Sequence, residues 1–528
     1  MSITSLIFFL FIFTTLILYY VVPKRLQWMV LLFASLTFYI SCSTWGIVYV
    51  IVTATTVYIS AQWLHSISVN QKVLLKENKD KLSKEEKAII RNANKKKRKY
   101  ILVTTLIFNF GILCVFKYFH FTLEQINVVI NAFGGSLIED RFNLIVPLGI
   151  SFYTFQATGY LIDVYWGNCS AQKNYFKTLL FVSFFPQVTQ GPISDYEQLS
   201  DELYSEHTFI YENYAQGFQR MIWGLFKKMV IADCLSPIVT DLFANYSEYT
   251  GLACLLGTFG YSVQIYADFS GYMDIMCGVC KMFGITLAEN FERPYFSKSI
   301  AEYWRRWHIT LGAWFKKYIY YPIGVSKWNH NLGKMAQKRF GKHVGQTIPA
   351  SIALVVVWFT TGLWHGASWA YISWGVVNGL FIIISLWMEP VYTLIKKKLH
   401  IRENTFSWRA FQTIRTFILV TFIKVLPEVG TLSQGLGLWK RILTEHTIPT
   451  SFNALFPYVD DKLTFSVIIL GVILLFVSSL LQRKNSLLEL FNKCPLILRI
   501  VCLTMLLLLI FIFGVASNEV GGFMYVQF

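Results

Sequence analysis

The chain has 528 residues, of which 55% are hydrophobic and 15% are charged, and its mean hydropathy is +0.47. A water-soluble protein does not need so much apolar sequence for its core, so the composition argues against a soluble enzyme and favours a membrane protein. The formal net charge of +17 does not indicate nucleic-acid binding, because the basic residues cluster in loops between apolar segments, as the positive-inside rule predicts for cytoplasmic loops.

Apolar segments recur along the whole chain. A membrane-spanning helix needs about 20 consecutive, mainly apolar residues, and we count roughly ten to twelve such helices. The segments lie near residues 4–22, 26–42, 45–64, 100–118, 144–165, 176–190, 213–235, 252–285, 348–364, 367–389, 411–427, 464–482 and 497–516. Those near 144–165 and 176–190 contain several polar residues and are predicted to be partial or re-entrant. The first lacks the basic start of a signal peptide, so we expect a retained helix. The sequence predicts an all-α, multi-pass protein of the cell membrane.

The most hydrophilic part of the chain is a basic loop at about residues 66–99. From Lys72 to Lys99 it contains twelve Lys or Arg and four Asp or Glu, and its composition favours a polar helix or a helical hairpin. The positive-inside rule places this loop in the cytosol, which puts the N-terminus and the near-neutral stretch 428–463 on the extracytoplasmic side.

No internal repeat divides the chain, so the sequence predicts a single membrane domain over residues 1–528. Polar residues are densest from about 145 to 380, and we interpret this part as the catalytic core. The sequence has no P-loop, no Rossmann glycine fingerprint and no zinc-protease motif, which argues against nucleotide-driven transport. Cys277 and Cys280 lie one helical turn apart, and without a second pair we expect them on a helix surface rather than at a metal site. We therefore predict no metal.

The first of two unusual stretches with a histidine is Tyr303–Tyr321. Its aromatic residues recur mostly at helical spacing, while Arg305 and Arg306 fall elsewhere on the helical wheel. A helix that mixes Trp with Lys and Arg is predicted to be interfacial or re-entrant. His308 lies one turn after Trp304, and its imidazole can exchange a proton near neutral pH. Alternatively, His308 hydrogen-bonds a carbonyl and the arginines contact lipid phosphates.

The second stretch is Gly362–Gly379. It contains two small-x-x-x-small pairs, which are Gly362/Gly366 and Gly375/Gly379. Such pairs allow helices to approach closely. Trp364 and other tryptophans surround His365, and close packing that limits water suits general-base chemistry. Alternatively, His365 is a core histidine that a neighbouring group satisfies.

Asp268 and Asp274 place two carboxylates in the otherwise apolar stretch Tyr266–Asp274. They could orient a histidine, carry protons or form a structural ion pair. We expect the ion pair, because an unpaired buried carboxylate is costly. The expected partners are Arg293, Arg305 and Arg306. A further hypothesis is a basic mouth that attracts a phosphate-bearing donor; it comprises Lys227, Lys228, Arg293, Lys298, Arg305 and Arg306, each of which could instead be an anchor at the cytosolic interface.

In these segments the chain resembles the membrane-bound O-acyltransferase superfamily, and most closely its alginate O-acetyltransferase branch of membrane subunits. The matching segments are Val146–Gln156, Phe184–Gln187 with Gly191-Pro192, Gly224–Lys228, Tyr266–Asp274, Glu289–Phe291 through Arg293–Tyr295, Tyr303–His308, Gly362–Ala367 and the closing Gln527-Phe528. They follow one another in order along nearly the whole chain, and the two tryptophan–histidine segments are highly specific together.

The resemblance implies a ring of tilted transmembrane and re-entrant helices around a central tunnel that joins the two membrane faces. It also implies acyl transfer from a cytosolic thioester to an extracytoplasmic hydroxyl, with acetyl-CoA as the donor substrate and no cofactor. By motif match, His365 takes the place of the essential histidine deep in the tunnel, and His308 that of the second histidine, nearer the cytosol. The residues expected to line the tunnel or the donor site are Arg305, Arg306, Asp268, Asp274, Asn378 and Trp364. Asn378 stands where the family often has a histidine after its second tryptophan–glycine.

The resemblance further implies that the acetyl group passes to a polysaccharide, through an extracytoplasmic acetyltransferase partner protein. Two other functions remain open from the sequence. One is D-alanyl transfer to teichoic acid by a related branch. The other, from a different class, is a proton-coupled transporter that uses Asp268, Asp274 and the histidines as a relay, although the inverted repeats of many transporters are missing from the sequence.

Overall fold

The computed structural model describes residues 1–142, 144–456, 459, 462–483 and 486–515. Helices account for the regular structure of these residues, and they form no strand, which confirms the predicted all-α class. The described chain divides into two compact units. The first comprises Met1–Ala215 and Val279–Leu287, and the second comprises Gln216–Gly278 and the described residues from Ala288 on. The predicted single domain stays a prediction, as do the ring and the tunnel. The closing Gln527-Phe528 lies outside the described residues.

The first unit contains eight complete helices and parts of two more. They are α1 (Leu6–Val21), α2 (Gln27–Cys42), α3 (Ile47–Glu77), α4 (Lys84–Ala132), α5 (Ile150–Trp166), α6 (Tyr175–Ser183), α7 (Phe185–Val188) and α8 (Tyr196–Tyr204). The predicted basic loop 66–99 forms a helical hairpin, as its composition favours. Ser83 ends the turn with a capping box: its hydroxyl accepts from the Glu86 amide at 3.1 Å, and the Glu86 carboxylate accepts from the Ser83 amide at 2.8 Å.

The second unit contains the helices of the predicted catalytic core and those that follow it. Helices α9 (Tyr211–Leu225) and α11 (Gly251–Met282) contribute residues to both units. The others are α10 (Asp233–Ala244), α12 (Ile300–Arg306), α13 (Ile309–Phe315), α14 (Tyr321–Gly324), α15 (Lys327–Phe340), α16 (Lys342–His365), α17 (Trp369–Trp387), α18 (Glu389–Lys398), α19 (Phe406–Val425), α20 (Leu432–Thr444), α21 (Phe452–Leu455), α22 (Lys462–Leu481), α23 (Leu487–Asn492) and α24 (Leu496–Phe513).

Seven helices of the described chain are long and apolar enough to cross a membrane, which confirms a polytopic protein. They begin and end at Lys24–Cys42, Ile47–Glu77, Lys84–Ala132, Lys342–His365, Trp369–Trp387, Lys462–Leu481 and Leu496–Phe513. Other predicted spans fold differently. The segment near 176–190 contains α6, whose 9 residues are too few to span a bilayer. The segment near 213–235 is interrupted by a π-helical stretch, Phe226–Ala232.

The core of the second unit lies around this π-helical stretch. Phe226, Val230 and Ile231 are fully buried against Ala267 of α11 and Leu475 of α22. Because π-helical turns occur often beside functional sites, this packing draws attention to the lysines that the stretch carries.

Cys277 and Cys280 both lie on α11, and each is buried, so they face packed parts of the protein. Close packing explains the burial at Cys277. A Cβ on the adjacent Gly278 would lie 2.5 Å from the Gly217 carbonyl oxygen of α9, so the two helices are in backbone contact there.

Candidate active site

His308 lies at a break between two helices. The sequence predicts mostly helical spacing through Tyr303–Tyr321, but α12 ends at Arg306 and α13 begins at Ile309. His308 itself has φ 49° and ψ 54°, in the left-handed region. A non-glycine residue in this region costs of order 1–3 kcal/mol, and such a conformation persists only where the surroundings impose it.

A distant segment imposes this break. Phe291 forms an isolated antiparallel bridge with Trp307, and the Ile309 amide donates to the Asn290 carbonyl at 3.1 Å. The buried Asn290 side chain then accepts from both the amide (3.0 Å) and the hydroxyl (2.8 Å) of Thr310. These bonds hold the backbone on both sides of His308, so its ring direction is fixed by residues that lie almost twenty positions earlier.

His365 is the last residue of α16, and a close helix crossing positions it. A Cβ on Gly362 would lie 2.6 Å from the Tyr371 carbonyl oxygen, and a Cβ on Gly375 would lie 2.5 Å from the Trp358 carbonyl oxygen. Only glycine allows α16 and α17 to approach to this distance. The structure thus confirms the prediction that the small residues of Gly362–Gly379 mediate close helix packing.

The two histidines meet at one indole ring. Trp364 lies with its ring centroid 6.1 Å from that of His308 and 4.8 Å from that of His365. Phe269 stands edge-on to His308 and Trp374 edge-on to His365, each at 4.8 Å. His308 is 1% exposed and His365 is 4% exposed. His308 is therefore fully buried in the aromatic cluster, while the interfacial or re-entrant setting of its helix in the membrane stays a prediction.

Asn378 acts on the site through tryptophans. Its side-chain oxygen accepts from the Trp304 indole N–H at 3.0 Å, and its amide donates to the Trp374 carbonyl at 2.9 Å. The rings of Trp304 and Trp374 are 5.5 Å apart, and Trp374 is the ring that faces His365. The geometry supports a positioning role for Asn378 beside the histidine.

Asp268 lies in an ion pair beneath the π-helical stretch. Its carboxylate is 2.6 Å from the ammonium of Lys228, which also lies 2.7 Å from Asp233. Lys228 and Asp268 are both almost completely buried. The expected structural ion pair is present, but the expected arginine partners are wrong. Lys228 of the π-helical stretch pairs with Asp268 instead.

Asp274 belongs to a second network on the same helix. It lies 2.6 Å from Lys227 and 2.9 Å from Arg220, which also pairs with Glu289 at 2.6 Å. Lys227 is 4% exposed, so neither it nor Lys228 can line an open basic mouth, and that part of the hypothesis is wrong. Both aspartates neutralise buried cations, and this arrangement fits a structural role better than a proton relay.

Arg305 and Arg306 differ in their surroundings. Arg306 pairs with Glu302 one turn earlier on α12, at 2.6 Å. Arg305 is exposed and therefore remains available to a charged ligand, so its predicted contact with the donor stays a prediction.

Sequence reasoning missed Lys424. Its ammonium lies 3.4 Å from the ring centroid of Trp307 and farther from those of Tyr295 (5.1 Å) and Tyr303 (5.2 Å). It also donates a hydrogen bond to the Tyr295 hydroxyl at 3.1 Å. Aromatic faces stabilise a buried cation in this way. A lysine inside the apolar segment 411–427 was a signal for this position, since a charge there requires a partner.

Tyr371 and Glu428 were also missed. The Tyr371 ring is nearly parallel to the His365 ring at 6.5 Å between centroids, and its hydroxyl donates to the Glu428 carboxylate at 3.2 Å. Burial raises the pKa of Glu428. An acidic residue directly after a long apolar segment was the sequence signal, but only the fold brings it to the tyrosine that covers His365.

Comparison with known proteins gives consistent similarities. The family model described as MBOAT, membrane-bound O-acyltransferase family, matches residues 170–337, a range that includes His308. A protein of Azotobacter vinelandii named "Probable alginate O-acetylase AlgI" is 37% identical over 275 residues, which cover 52% of this chain and 51% of that protein. The "Peptidoglycan O-acetyltransferase" of Helicobacter pylori is 30% identical over 369 residues, 65% of this chain and 64% of its own length.

A more distant similarity is to the "Teichoic acid D-alanyltransferase" of Bacillus subtilis, which is 29% identical over 245 residues, 46% of this chain and 59% of that protein. The chain spans about half the length of the first of these curated relatives and less than two thirds of the others.

Proposed function

We propose that this chain, whose residues 170–337 match the membrane-bound O-acyltransferase family model, transfers an acetyl group from cytosolic acetyl-CoA for O-acetylation of an extracellular or cell-wall polysaccharide. The observation that carries the proposal is a pair of buried histidines, His308 and His365, whose rings both lie close to the indole of Trp364. Two of the relatives have O-acetylase or O-acetyltransferase in their printed names, which supports acetyl as the transferred group.

In this proposal His365 acts as the general base. Its imidazole takes the proton of the acceptor hydroxyl while that oxygen attacks the thioester carbonyl carbon. The carbon–sulfur bond breaks, and the imidazolium returns the proton to the leaving CoA thiolate. General acid–base assistance of this kind contributes typically about 10²–10⁴-fold to the rate. A second route within the proposal has His365 carry the acetyl group transiently before the acceptor takes it.

His308 orients the donor or assists proton transfer, because its ring lies 6.1 Å from that of Trp364, which also contacts His365. Arg305 contacts the phosphates of acetyl-CoA, since it is exposed on the helix that leads to His308. We propose that the acetyl group then passes to an extracytoplasmic acetyltransferase partner, with the basic hairpin in the cytosol and the N-terminus outside the cell membrane. No metal or cofactor takes part in this scheme.

D-alanyl transfer to teichoic acid is the second candidate, and the similarity to the Bacillus subtilis D-alanyltransferase favours it. The two reactions share the same acceptor chemistry and differ in the donor, which is a free thioester in one and an aminoacyl carrier protein in the other. Release of CoA from acetyl-CoA by the purified protein separates them.

The test measures CoA release from acetyl-CoA by the purified full-length chain in nanodiscs, with a polysaccharide acceptor present and a thiol reagent as the readout. His365→Gln keeps hydrogen bonding but cannot serve as a base of similar strength, and we expect a loss of at least about 10²-fold. His330→Gln is the matched control, because His330 is exposed on α15, and it should retain wild-type turnover. If His365→Gln keeps more than about a tenth of the activity while folded, His365 is a structural core residue and the proposed mechanism fails.

A further inference from the structure

A cavity of about 310 Å³ lies between three helices of the second unit, apart from the histidine cluster. Its walls are almost entirely apolar, and they include Val263 of α11, Phe417 of α19 and Leu475 and Phe476 of α22. The volume is at the lower end of the range for ligand pockets, roughly 300–1,000 Å³. It is large enough for part of a hydrocarbon chain.

One arginine lines this apolar cavity. Arg293 belongs to its lining, and the guanidinium lies 4.7 Å from the ring of Phe296. Its backbone has φ 49°, in the left-handed region. The Arg293 Nε is buried and has no hydrogen-bond partner among the described residues. A buried guanidinium nitrogen without a partner is costly, so the position calls for an acceptor from a ligand.

Further positive charge surrounds this end of the cavity. Burial lowers the pKa of Arg293, and the nearby charges of Arg306 and Arg483 lower it further. The neighbouring carboxylates are Glu292 and Glu302, and Glu302 is paired with Arg306. Three guanidinium groups against two carboxylates leave an excess of positive charge beside an apolar space, and this combination is complementary to a negatively charged amphiphile.

The third wall belongs to a candidate membrane span. α22 is long and apolar enough to cross a bilayer, and it exposes Ile469, Leu470 and Ile473, none of which lines the cavity. A ligand that reaches the cavity past this helix comes from the lipid phase. Basic pockets between membrane helices are typical binding sites for anionic lipid headgroups.

The geometry points to a binding site for an anionic phospholipid, with one acyl chain in the cavity and the phosphate on Arg293. Two tyrosines of the cavity wall, Tyr266 and Tyr295, each lie 6.2 Å from Trp307 between ring centroids, and Trp307 precedes His308. The bound lipid therefore supports the aromatic layer behind the histidine, and its loss should loosen that layer.

The experiment compares lipids on the purified full-length chain in a neutral detergent. Phosphatidylglycerol should raise the melting temperature by at least roughly 2 °C more than phosphatidylcholine with the same acyl chains, and native mass spectrometry should detect retained phosphatidylglycerol. Arg293→Gln removes the charge and Val472→Phe fills the cavity, so each should abolish the difference between the two lipids. The matched controls are Arg91→Gln in the exposed basic hairpin and Val477→Phe on the exposed side of α22, and both should preserve it.

Two outcomes would overturn the inference. Equal stabilisation by both phospholipids would mean that the cavity does not recognise the headgroup. Equal stabilisation by acetyl-CoA or inorganic phosphate without lipid would make Arg293 a general phosphate contact rather than a lipid site. If a cavity variant is too unstable to purify, retention of phosphatidylglycerol by the wild-type protein, and its competition by phosphatidylcholine, still decides the question. The readouts are binding and melting, so they are independent of the proposed acetyl transfer.

Discussion

A methyl group at the crossing of α16 and α17 should reduce catalysis far more than it reduces stability. In Gly375→Ala the new Cβ would lie 2.5 Å from the Trp358 carbonyl oxygen and 2.8 Å from the Cα of Gly362. Ordinary van der Waals contact begins at 3.4 Å, and both neighbours are backbone atoms, which cannot rotate away. The two helices must therefore separate by roughly 1 Å, because a packed interior has no spare volume to absorb the methyl group.

Gly375→Ala changes the free energy of unfolding by two terms of opposite sign. Overpacking costs typically about 1–3 kcal/mol, whereas alanine gains about 1 kcal/mol over glycine in a helix, so the net destabilisation is about 0–2 kcal/mol. Catalysis is more sensitive, since a misplacement of about 1 Å can cost about 10²-fold in rate. His365 ends α16 only three residues after Gly362, so the separation of the helices moves it directly. We expect a folded protein with a modestly lower melting temperature and CoA release reduced at least tenfold.

The assay measures both quantities on the same preparation, by thermal melting in detergent and by CoA release in nanodiscs. Gly111→Ala is the matched control, because a Cβ there has no neighbour within 4 Å and α4 is equally helical. It should keep its activity and match or exceed the wild-type melting temperature. Gly375→Ala with activity within twofold of the wild type would refute the argument that this crossing positions the histidine.

Four further predictions concern other parts of the molecule. Arg305→Gln should raise the KM for acetyl-CoA in steady-state CoA release, with a smaller effect at high salt because exposed charges are screened; an unchanged KM would make Arg305 a lipid anchor. Asp274→Asn should destabilise by about 3–5 kcal/mol in thermal melting, because it leaves the buried Lys227 short of its carboxylate. Because burial raises the pKa of Glu428, its stabilising contribution is present at low pH and is lost as the pH rises through that pKa, so melting of Glu428→Gln should depend less on pH than melting of the wild type. A cysteine at the exposed Asn92 should resist a membrane-impermeant thiol reagent in intact cells, when compared with the parent chain, if the basic hairpin is cytosolic.

Local patterns in the sequence were sufficient for the parts of the fold that depend on neighbouring residues. The Ser83 capping box and the basic hairpin follow from composition and from residues three positions apart. The crossing at Gly362 and Gly375 follows from the spacing of small residues, which indicates that two helix backbones can approach closely. The two histidines were identifiable for a similar reason, since an ionisable ring in an apolar, tryptophan-rich stretch is rare enough to indicate function.

Ion-pair and hydrogen-bond partners that come from distant segments could not be predicted from local patterns. The aspartates of α11 were expected to pair with arginines, yet their partners are Lys227, Lys228 and Arg220, which α9 and the π-helical stretch carry. Helical spacing through Tyr303–Tyr321 gave no sign of the break at His308, because Asn290 imposes the break by hydrogen bonds across almost twenty residues. Burial of a charge shows only that a partner is needed, and tertiary packing decides which one it is.

The buried lysines of the second unit are compensated by groups other than the two histidines. Lys228 is matched by two carboxylates and Lys227 by Asp274, while Lys424 is held against aromatic faces rather than a carboxylate. An imidazole can accept a proton only while it is neutral, and apolar surroundings disfavour its charged form. A carboxylate beside His308 in place of the ring of Phe269 or Trp364 would instead stabilise the imidazolium and remove the base. In the proposed reaction, this aromatic lining would limit water around the thioester as well as pack the helices, and the acceptor hydroxyl would be the proton source for His365.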